Sequence, residues 1–380
     1  MTLLVLTEEQ IMLKDSAKEF LKEQGSVKEL RRLRDERDAT GFSPKLWQSM
    51  VELGFAGTLI PDDFGGSGFG HVGMGQIMEE CGRNLTASPL FATAILGASA
   101  LLLAGSEQQK RELLPQIAGG QLLLALAADE AVRHAPANVS VRAEKKGDGF
   151  VVNGRKTFVA DGHIADKLIV SVRTSGERSD KRGLTLLLVD RTAKGVEVER
   201  TVMVDSRNSA IVKFNNVQVP AAAVLGKVDE GHAVLARILD IGNAHLAAEL
   251  LGIAEESFDR TVQYLKERKQ FGVYIGSFQA LQHRAAHLWS AIELVKSSVL
   301  KALQALDANT ADVPMLVSVA KAKACETAEL ATNEAVQMHG GIGMTDEFEI
   351  GFFMKRARPA QQLFGDYRYH ANRFAELSGY

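Results

Sequence analysis

The sequence predicts an α+β fold in which two helical regions flank a β-rich middle region. Apolar residues recur at helical spacing from Glu8 to about residue 122. Short runs rich in Val, Leu and Ile replace this pattern between residues 123 and 228, which is typical of strands. Long helix-periodic stretches fill residues 229–380 and predict a bundle of long helices. We therefore expect three regions, with bounds 1–122, 123–228 and 229–380.

Helix starts in the first region are marked by capping residues. Thr7 precedes two glutamates and an apolar stripe, so it is a candidate N-cap. Ser43 stands before Pro44, which suits the first turn of a helix. Ser106 opens a third helical pattern, which ends at Gly119 and Gly120.

The middle region contains a hairpin signal. Residues 150–152 are apolar, Asn153-Gly154 follows, and residues 155–159 continue the pattern. Because Asn-Gly accepts the positive φ of a tight turn, we expect two antiparallel strands here. Further strands are expected over residues 168–172 and 184–189, and half-exposed ones over 196–199 and 212–214.

The third region predicts three long helices and a final helical stretch. The long periodic segments cover residues 233–268, 279–308 and 314–338. A glycine-rich turn interrupts them at residues 340–343, and helical spacing resumes over 352–377.

Composition bounds the function. The chain has 380 residues, 46% of them hydrophobic and 24% charged, with a net charge of -3. This balance gives no basic surface for nucleic acid. No stretch approaches the roughly 18 apolar residues of a membrane span, and the N-terminus has no signal-peptide pattern, so we expect a cytoplasmic protein without a stable membrane anchor. Cys81 and Cys325 lack metal-ligand spacing, and no metal site is expected.

Three segments could carry chemistry. Residues 267–272 and 275–279 combine a basic helix end, a glycine, Phe271 and Gln279, a set that could hold a phosphate and an aromatic ring. Residues 337–343 form a glycine-rich turn after a helix, without the GxGxxG of a Rossmann site. Residues 153–158 read as a hairpin. On spacing alone, each also fits an ordinary helix end or turn.

Together these segments resemble the acyl-CoA dehydrogenase family. In chain order, these are the segment 60–66, the string NGRKTF, the strings RKQFG and IGSFQ, and the string QMHGGIGM. The family has corresponding segments in the same order. The resemblance covers nearly the whole chain. It implies an N-terminal helical domain, a middle β-barrel or sandwich domain and a C-terminal four-helix bundle.

The resemblance implies FAD as cofactor, an acyl-CoA as substrate and an electron-transfer flavoprotein as electron acceptor. It places seven residues at the FAD: Arg268, Phe271, Gln279, Gln337, Gly341, Phe158 and Asp129. Some of them reach the FAD of a neighbouring subunit, which implies a homo- or hetero-oligomer, a dimer or a tetramer. Phe158 stands where the family often has Trp. Asp129 and Ala160 stand where it usually has hydroxyl residues that bond the flavin.

The family's catalytic base is the main departure. In one common position, after the glycine loop, this chain has Gly365, and Asp366 follows one residue later. The other known position, on the long helix before RKQFG, falls on Gly242, and Asn243 stands where some members have a neighbouring arginine. Neither position carries a carboxylate.

Four interpretations stay open. Asp366 could act as the base after a small backbone adjustment. Another carboxylate, such as Glu249 or Asp240, could reach the site. The chain could be the base-lacking half of a heteromeric α2β2 enzyme that takes bulky acyl-CoA substrates. Asp366 could instead only cap a helix that begins near Tyr367. A flavin oxidase or monooxygenase on the same fold, and an assembly subunit that binds flavin or CoA without turnover, are the alternatives from other classes.

Overall fold

The structure, a computed structural model, describes residues 4–380, so the first three residues of the predicted N-terminal region lie outside it. Two compact units make up the chain. We call residues 4–36, 71–87 and 243–380 the bundle unit, and residues 37–70 and 88–242 the sheet unit. The predicted order of helices, strands and helices is confirmed. The bounds at residues 122 and 228 stay a prediction.

Eleven α-helices lie in the described part of the chain. They are α1 (Glu8–Gln24), α2 (Val27–Asp35), α3 (Pro44–Glu52), α4 (Gly70–Asn84), α5 (Ala98–Ala104), α6 (Glu107–Ala118), α7 (Gly231–Glu267), α8 (Gln279–Asp307), α9 (Val313–His339), α10 (Ile350–Gln362) and α11 (Tyr367–Leu377). A π-helical turn, Phe91–Gly97, leads into α5. The three expected helix starts are confirmed. Thr7 and Ser106 each form a capping box, and the Ser43 side chain accepts from the N–H of Leu46.

Two glycines allow α4 and α7 to cross closely within the bundle unit. A Cβ on Gly82 would lie 2.1 Å from the carbonyl oxygen of Glu249, and one on Gly252 would lie 1.9 Å from that of Glu79. Neither position has room for a side chain, because both neighbours are backbone atoms. Each helix therefore presents a glycine to the backbone of the other, and this crossing fixes the spacing of the unit's core.

The C-terminal helices differ from the expectation at one point. The three long helices α7, α8 and α9 are confirmed, and α8 packs along α9. The helical pattern expected over residues 352–377 is divided into two helices, because α10 ends at Gln362 and α11 begins at Tyr367, which is the start that the capping interpretation of Asp366 gave. Phe364 and Gly365 between them have φ angles of 58° and 106°, and a right-handed helix cannot continue through such angles.

The sheet unit is built on eight strands. They are β1 (Leu124–Ala127), β2 (Arg142–Lys146), β3 (Gly149–Lys156), β4 (Lys167–Arg173), β5 (Leu184–Asp190), β6 (Val196–Val202), β7 (Asn208–Pro220) and β8 (Val224–Leu225). Their order is β6-β7-β3-β2-β4-β5-β8, with β1 parallel to β4 and most other pairs antiparallel. A barrel or a sandwich was expected for this region, and no ladder joins β6 to β8 within residues 4–380, so the sheet does not close into a barrel.

The hairpin expected at Asn153-Gly154 is wrong. Strand β3 runs straight through these residues, and the turn lies instead at Gly147 and Asp148, between β2 and β3. Gly154, with φ 136°, marks a shift in the β3–β7 register, and a Cβ there would lie 2.9 Å from the Cα of Val141. The positive φ that suggested a turn therefore serves a β-bulge.

A buried arginine organises the loops at one end of the sheet. Arg173 ends β4, is 2% exposed, and donates to the carbonyl oxygens of Ala137, Arg178, Asp180 and Arg182 at 2.7–2.9 Å. These four acceptors lie in the loops before β2 and after β4. One guanidinium thus ties both loops to the end of β4. The apolar core of the unit lies on the other face of the sheet, the face of Val172, and β3, β4, β5 and β7 contribute most of it.

Candidate functional site

The expected cofactor residues fall into the two units. Asp129 and Phe158 belong to the sheet unit, whereas Arg268, Phe271, Gln279, Gln337 and Gly341 belong to the bundle unit.

In the sheet unit the structure brings Asp129 and Phe158 together. Asp129 lies just after β1, and Phe158 lies just after β3. The backbone N–H of Thr157 donates to the carbonyl oxygen of Asp129 at 2.8 Å. The two strand ends are therefore joined at the residues that the sequence singles out.

A buried ion pair holds this junction. The ammonium of Lys156, which is fully buried, donates to the carbonyl oxygen of Ala128 at 3.0 Å, to Glu130 Oε1 at 2.8 Å and to Ser171 Oγ at 2.9 Å. Burial opposes ionisation of Glu130, but Lys156 and Ser140 outweigh it and hold the pKa of Glu130 below its usual value. Both residues flanking Asp129 are thus fixed by Lys156, and removal of one partner would leave a buried charge unpaired.

Asp129 is paired with a residue that the sequence did not indicate. Nδ1 of His134 lies 2.7 Å from Oδ1 of Asp129, and the two side chains are only 4% and 10% exposed. Asp129 Oδ2 makes no hydrogen bond within the described residues. His134 follows Asp129 by five residues in an irregular loop, so no periodicity in the sequence could have revealed the contact.

The neighbouring residues add two further features. The Thr157 hydroxyl oxygen is buried and has no hydrogen-bond partner in the described part of the chain. The Phe158 side chain is 40% exposed, and its backbone has φ 53°, a left-handed conformation that is uncommon for a bulky residue. Strained backbone of this kind is frequent at ligand sites. An exposed ring, an orphaned hydroxyl and a carboxylate oxygen thus meet at the ends of β1 and β3.

In the bundle unit, Arg268 and Phe271 lie on a short hairpin after α7. Strands β9 (Lys269–Gln270) and β10 (Val273–Tyr274) pair antiparallel, and the N–H of Ile275 donates to the carbonyl oxygen of Arg268 at 2.9 Å. Phe271 stands at the tip with φ 54° and is 92% exposed. Gln279, the first residue of α8, is also exposed.

Gln337 and Gly341 lie beside the base of this hairpin. They flank the end of α9, where the buried ring of His339 lies 4.4 Å from the ring of Tyr264, centroid to centroid. The carbonyl oxygen of Tyr264 in turn accepts from the N–H of Arg268 at 2.9 Å. A Cβ added to Gly341 would meet nothing within 4 Å, so the backbone here is open to a ligand. The hairpin that carries Arg268 and the turn that carries Gly341 therefore lie close together in space within one chain.

The expected base position lies in the break between α10 and α11. Gly365 has φ 106°, and a Cβ on it would lie 2.3 Å from Cδ1 of Tyr369. The Tyr369 ring, in the first turn of α11, thus occupies the space that any side chain at position 365 would need. A glutamate at this position would require both a strained backbone and displacement of that ring.

The break is held from three sides. The fully buried ammonium of Lys321 donates to the carbonyl oxygens of Leu363 at 2.9 Å and Gly365 at 3.0 Å, and more weakly to Gln361. Asn243 donates to the carbonyl oxygen of Phe364 at 3.2 Å, and Nε2 of His370 lies 3.2 Å from the same oxygen. Burial lowers the pKa of Lys321, although neighbouring groups including Asp366 and Glu249 oppose this.

Two of the candidate carboxylates have structural partners in the bundle unit. Asp366 is the N-cap of α11 and accepts from the N–H of Tyr369 at 2.9 Å. Glu249 is buried and accepts two hydrogen bonds from Arg356. Asp240, in the part of α7 that belongs to the sheet unit, is 3% exposed. The helix-capping interpretation of Asp366 matches its observed contacts, whereas its role as a base stays a prediction.

Two kinds of feature are absent from residues 4–380. No group of three or more His, Cys, Asp and Glu side chains is arranged there to hold a metal ion. No helix in that range combines the length and apolar character needed to cross a membrane.

Comparison with known protein families gives three matches in chain order. Residues 7–121 match the N-terminal domain of acyl-CoA dehydrogenases, residues 125–217 match the middle domain, and residues 229–377 match the C-terminal domain. The probable acyl-CoA dehydrogenase YngJ of Bacillus subtilis is 33% identical over 362 residues, which cover 93% of each chain.

Solved structures give the same architecture. Butyryl-CoA dehydrogenase from Megasphaera elsdenii superposes with a TM-score of 0.90 at 26% identity, and the match covers 100% of both chains. A variant of the Tcur3481-Tcur3483 steroid ACAD gives a TM-score of 0.88 at 28% identity over 98% of each chain.

Proposed function

Because the chain belongs to the acyl-CoA dehydrogenase family of flavin-dependent oxidoreductases, we propose that it is an FAD-binding subunit for α,β-dehydrogenation of an acyl-CoA, with the proton-removing carboxylate supplied by a partner subunit. Its cofactor is FAD. The observation that carries the proposal is the conformation at Gly365, where the Tyr369 ring fills the space of a side chain.

The residues present fit FAD. Bound FAD would supply the redox chemistry by taking the β-hydrogen of the acyl chain as a hydride. In the bundle unit, Arg268 would bind the pyrophosphate by charge, and the open backbone at Gly341 would allow close approach. In the sheet unit, the exposed Phe158 ring offers an apolar face, and the unpaired Thr157 hydroxyl offers a hydrogen-bonding group.

Neither of the family's two positions for the base can provide a carboxylate in this chain. Gly365 is fixed by Lys321 and closed off by Tyr369, and Gly242 offers no side chain at the alternative position. Moving Asp366 into the base position would remove the cap of α11 and pull its neighbour away from the Lys321 ammonium. Because the loss of one of the three acceptors of a buried ammonium is destabilising, this movement is unfavourable.

A heteromeric assembly would supply what the chain lacks. The similar steroid ACAD is named for two components, which is the arrangement that we propose here. The substrate class that this suggests is a bulky, lipid-like acyl-CoA. We further propose an electron-transfer flavoprotein as the electron acceptor, in keeping with the family.

Anaerobic flavin bleaching tests the proposal. The chain is purified by itself and in complex with a co-encoded homologue, and each is mixed with butanoyl-CoA, octanoyl-CoA and a sterol side-chain CoA thioester. We expect the chain to be yellow by itself and to stay unbleached, while the complex bleaches with at least one thioester. A colourless chain that takes up no FAD would contradict the subunit assignment.

The matched variants are Asp366→Asn and Asp366→Ser. Asn and Ser cap helices about as well as Asp, so both variants keep the fold and remove only the carboxylate. If Asp366 were the base, the chain would bleach without a partner and both variants would abolish this bleaching. Rapid aerobic formation of hydrogen peroxide from an acyl-CoA would favour the oxidase alternative instead.

A further inference from the structure

The family resemblance places a hydroxyl residue at position 129. This chain instead has a carboxylate there, and Asp129 is paired with His134. The pair is nearly buried, yet only one of the two carboxylate oxygens is bonded to His134. The loop that carries the pair is fixed on both sides, because Thr157 binds the backbone of Asp129 and Lys156 binds Ala128 and Glu130. Asp129 Oδ2 is therefore an acceptor without a partner among the described residues, held in a rigid frame.

The residues that hold this loop do not neutralise the charge of Asp129. Lys156 and Glu130 neutralise one another at 2.8 Å. Asp129 adds a further negative charge, which the His134 ring offsets only when it is protonated. An ionised carboxylate can accept hydrogen bonds but cannot donate them, whereas a hydroxyl does both. Replacing the hydroxyl by Asp129 therefore changes both the polarity and the charge of the surface beside the exposed Phe158 ring.

We propose that Asp129, oriented by His134, faces the isoalloxazine ring of bound FAD and lowers its two-electron reduction potential. A negative charge beside a flavin disfavours the addition of electrons, and the effect is strong where water is excluded. This inference rests on the proposed FAD-binding role, and it concerns the tuning of the cofactor. It does not depend on which carboxylate removes the α-proton.

The test compares midpoint potentials of the FAD-loaded protein, measured anaerobically against a reference dye. Asp129→Asn removes the charge with little change in shape, and Asp129→Thr supplies a hydroxyl. We expect each variant to bind reduced FAD at least about tenfold more tightly relative to oxidised FAD, a rise of about 30 mV for a two-electron couple. Glu144→Gln, an exposed change on β2 in the same unit, is the control and is expected to leave the potential unchanged.

Unchanged potentials in both Asp129 variants, with FAD retained, would overturn the proposal. Loss of FAD from a variant whose apoprotein melts at the wild-type temperature would support contact between Asp129 and the flavin. If Asp129→Asn fails to fold, Asp129→Thr carries the same test, since it keeps the backbone bond to Thr157.

His134 is a positioning residue under this proposal, and its role has its own readout. His134→Phe removes the ring nitrogen that holds Asp129, and His134→Gln keeps a donor near the same place. We expect the Phe variant to shift the potential and the Gln variant to restore most of the wild-type value. Equal potentials for wild type and His134→Phe would contradict the orienting role. A wild-type protein that binds no FAD would instead refute the proposed function itself.

Discussion

The carboxylate of Glu249 accepts two hydrogen bonds from the guanidinium of Arg356, each 2.8 Å long, and the Glu249 side chain is 1% exposed. A bidentate pair of this kind is directional and strong. It also occupies both oxygens of the carboxylate. Glu249 is therefore a structural acid of the bundle unit, and a role as a mobile base would require the pair to break.

Breaking this pair is expected to be costly. Glu249→Gln removes the negative charge from this buried bidentate pair, and the free energy of unfolding should fall by about 3 kcal/mol. Urea denaturation measures the change. Glu329→Gln is the control, because Glu329 pairs with Arg358 at the surface with half of its side chain exposed, and about 0–1 kcal/mol is expected there. Equal effects of the two variants would show that burial does not govern the Glu249 pair.

Gly252 is expected to resist substitution. Its Cβ would lie 1.9 Å from a backbone carbonyl oxygen of α4, so Gly252→Ala must separate the two helices and should destabilise the protein by about 1–3 kcal/mol. Gly351 offers the matched control, since it also lies in a helix but has open space around it. Gly351→Ala should leave stability unchanged or raise it by up to about 1 kcal/mol. Thermal unfolding of both variants tests the crossing directly.

Glu79 should make stability depend on pH. Burial raises the pKa of Glu79 to about 7, the Glu255 carboxylate adds to the rise, and the ion pair with Lys14 opposes it. Between an ordinary value of about 4.3 and pH 7, the native state thus binds more protons than the unfolded chain. Stability contributed by this group is present at low pH and is lost as pH rises through this window.

Glu79→Gln is expected to flatten that part of the pH profile. Urea unfolding at about pH 5, 6, 7 and 8 gives the slope for wild type and variant. Glu19→Gln, an exposed change on α1, is the control and should leave the wild-type slope intact. A variant that keeps the full decline between about pH 5 and 7 would assign the titration to another group.

Arg268 should be required for cofactor retention. Arg268→Ala removes an exposed guanidinium but not the backbone bonds that form the hairpin, so the fold is expected to persist while FAD is lost on gel filtration. Lys266→Ala removes an exposed charge nearby on α7 and should keep its FAD. The ratio of flavin to protein absorbance is the readout. Full flavin occupancy in Arg268→Ala would remove this residue from the site.

Much of the helical architecture could be predicted from the sequence because caps and periodicity are local signals. Thr7, Ser43 and Ser106 act within one turn of their own positions, and they open helices as expected. Gly154 shows the limit of such signals. Its positive φ could be inferred, but whether it serves a turn or a bulge depends on the contact of β3 with β7 and Val141.

The sequence likewise indicates some residues of the candidate site and not others. The sequence indicated Asp129, Phe158 and the segments around Arg268 and Gly341, since each belongs to a recognisable string. It could not indicate His134 or Lys321, because their partners are set by loop geometry in one case and by packing across 40 residues in the other. The crowding of Gly365 by Tyr369 also follows from the backbone conformation between α10 and α11, which helical spacing does not reveal.

The three carbonyl groups gathered by Lys321 have a consequence for the end of the chain. Terminal helices usually fray first, because few contacts tie them down. Here, Lys321 holds the segment that leads into α11 through the carbonyl oxygens of Leu363 and Gly365, so movement of α11 away from α9 would pull on buried hydrogen bonds. The amides of α11 should thus exchange with solvent together with those of α9, as one cooperative segment.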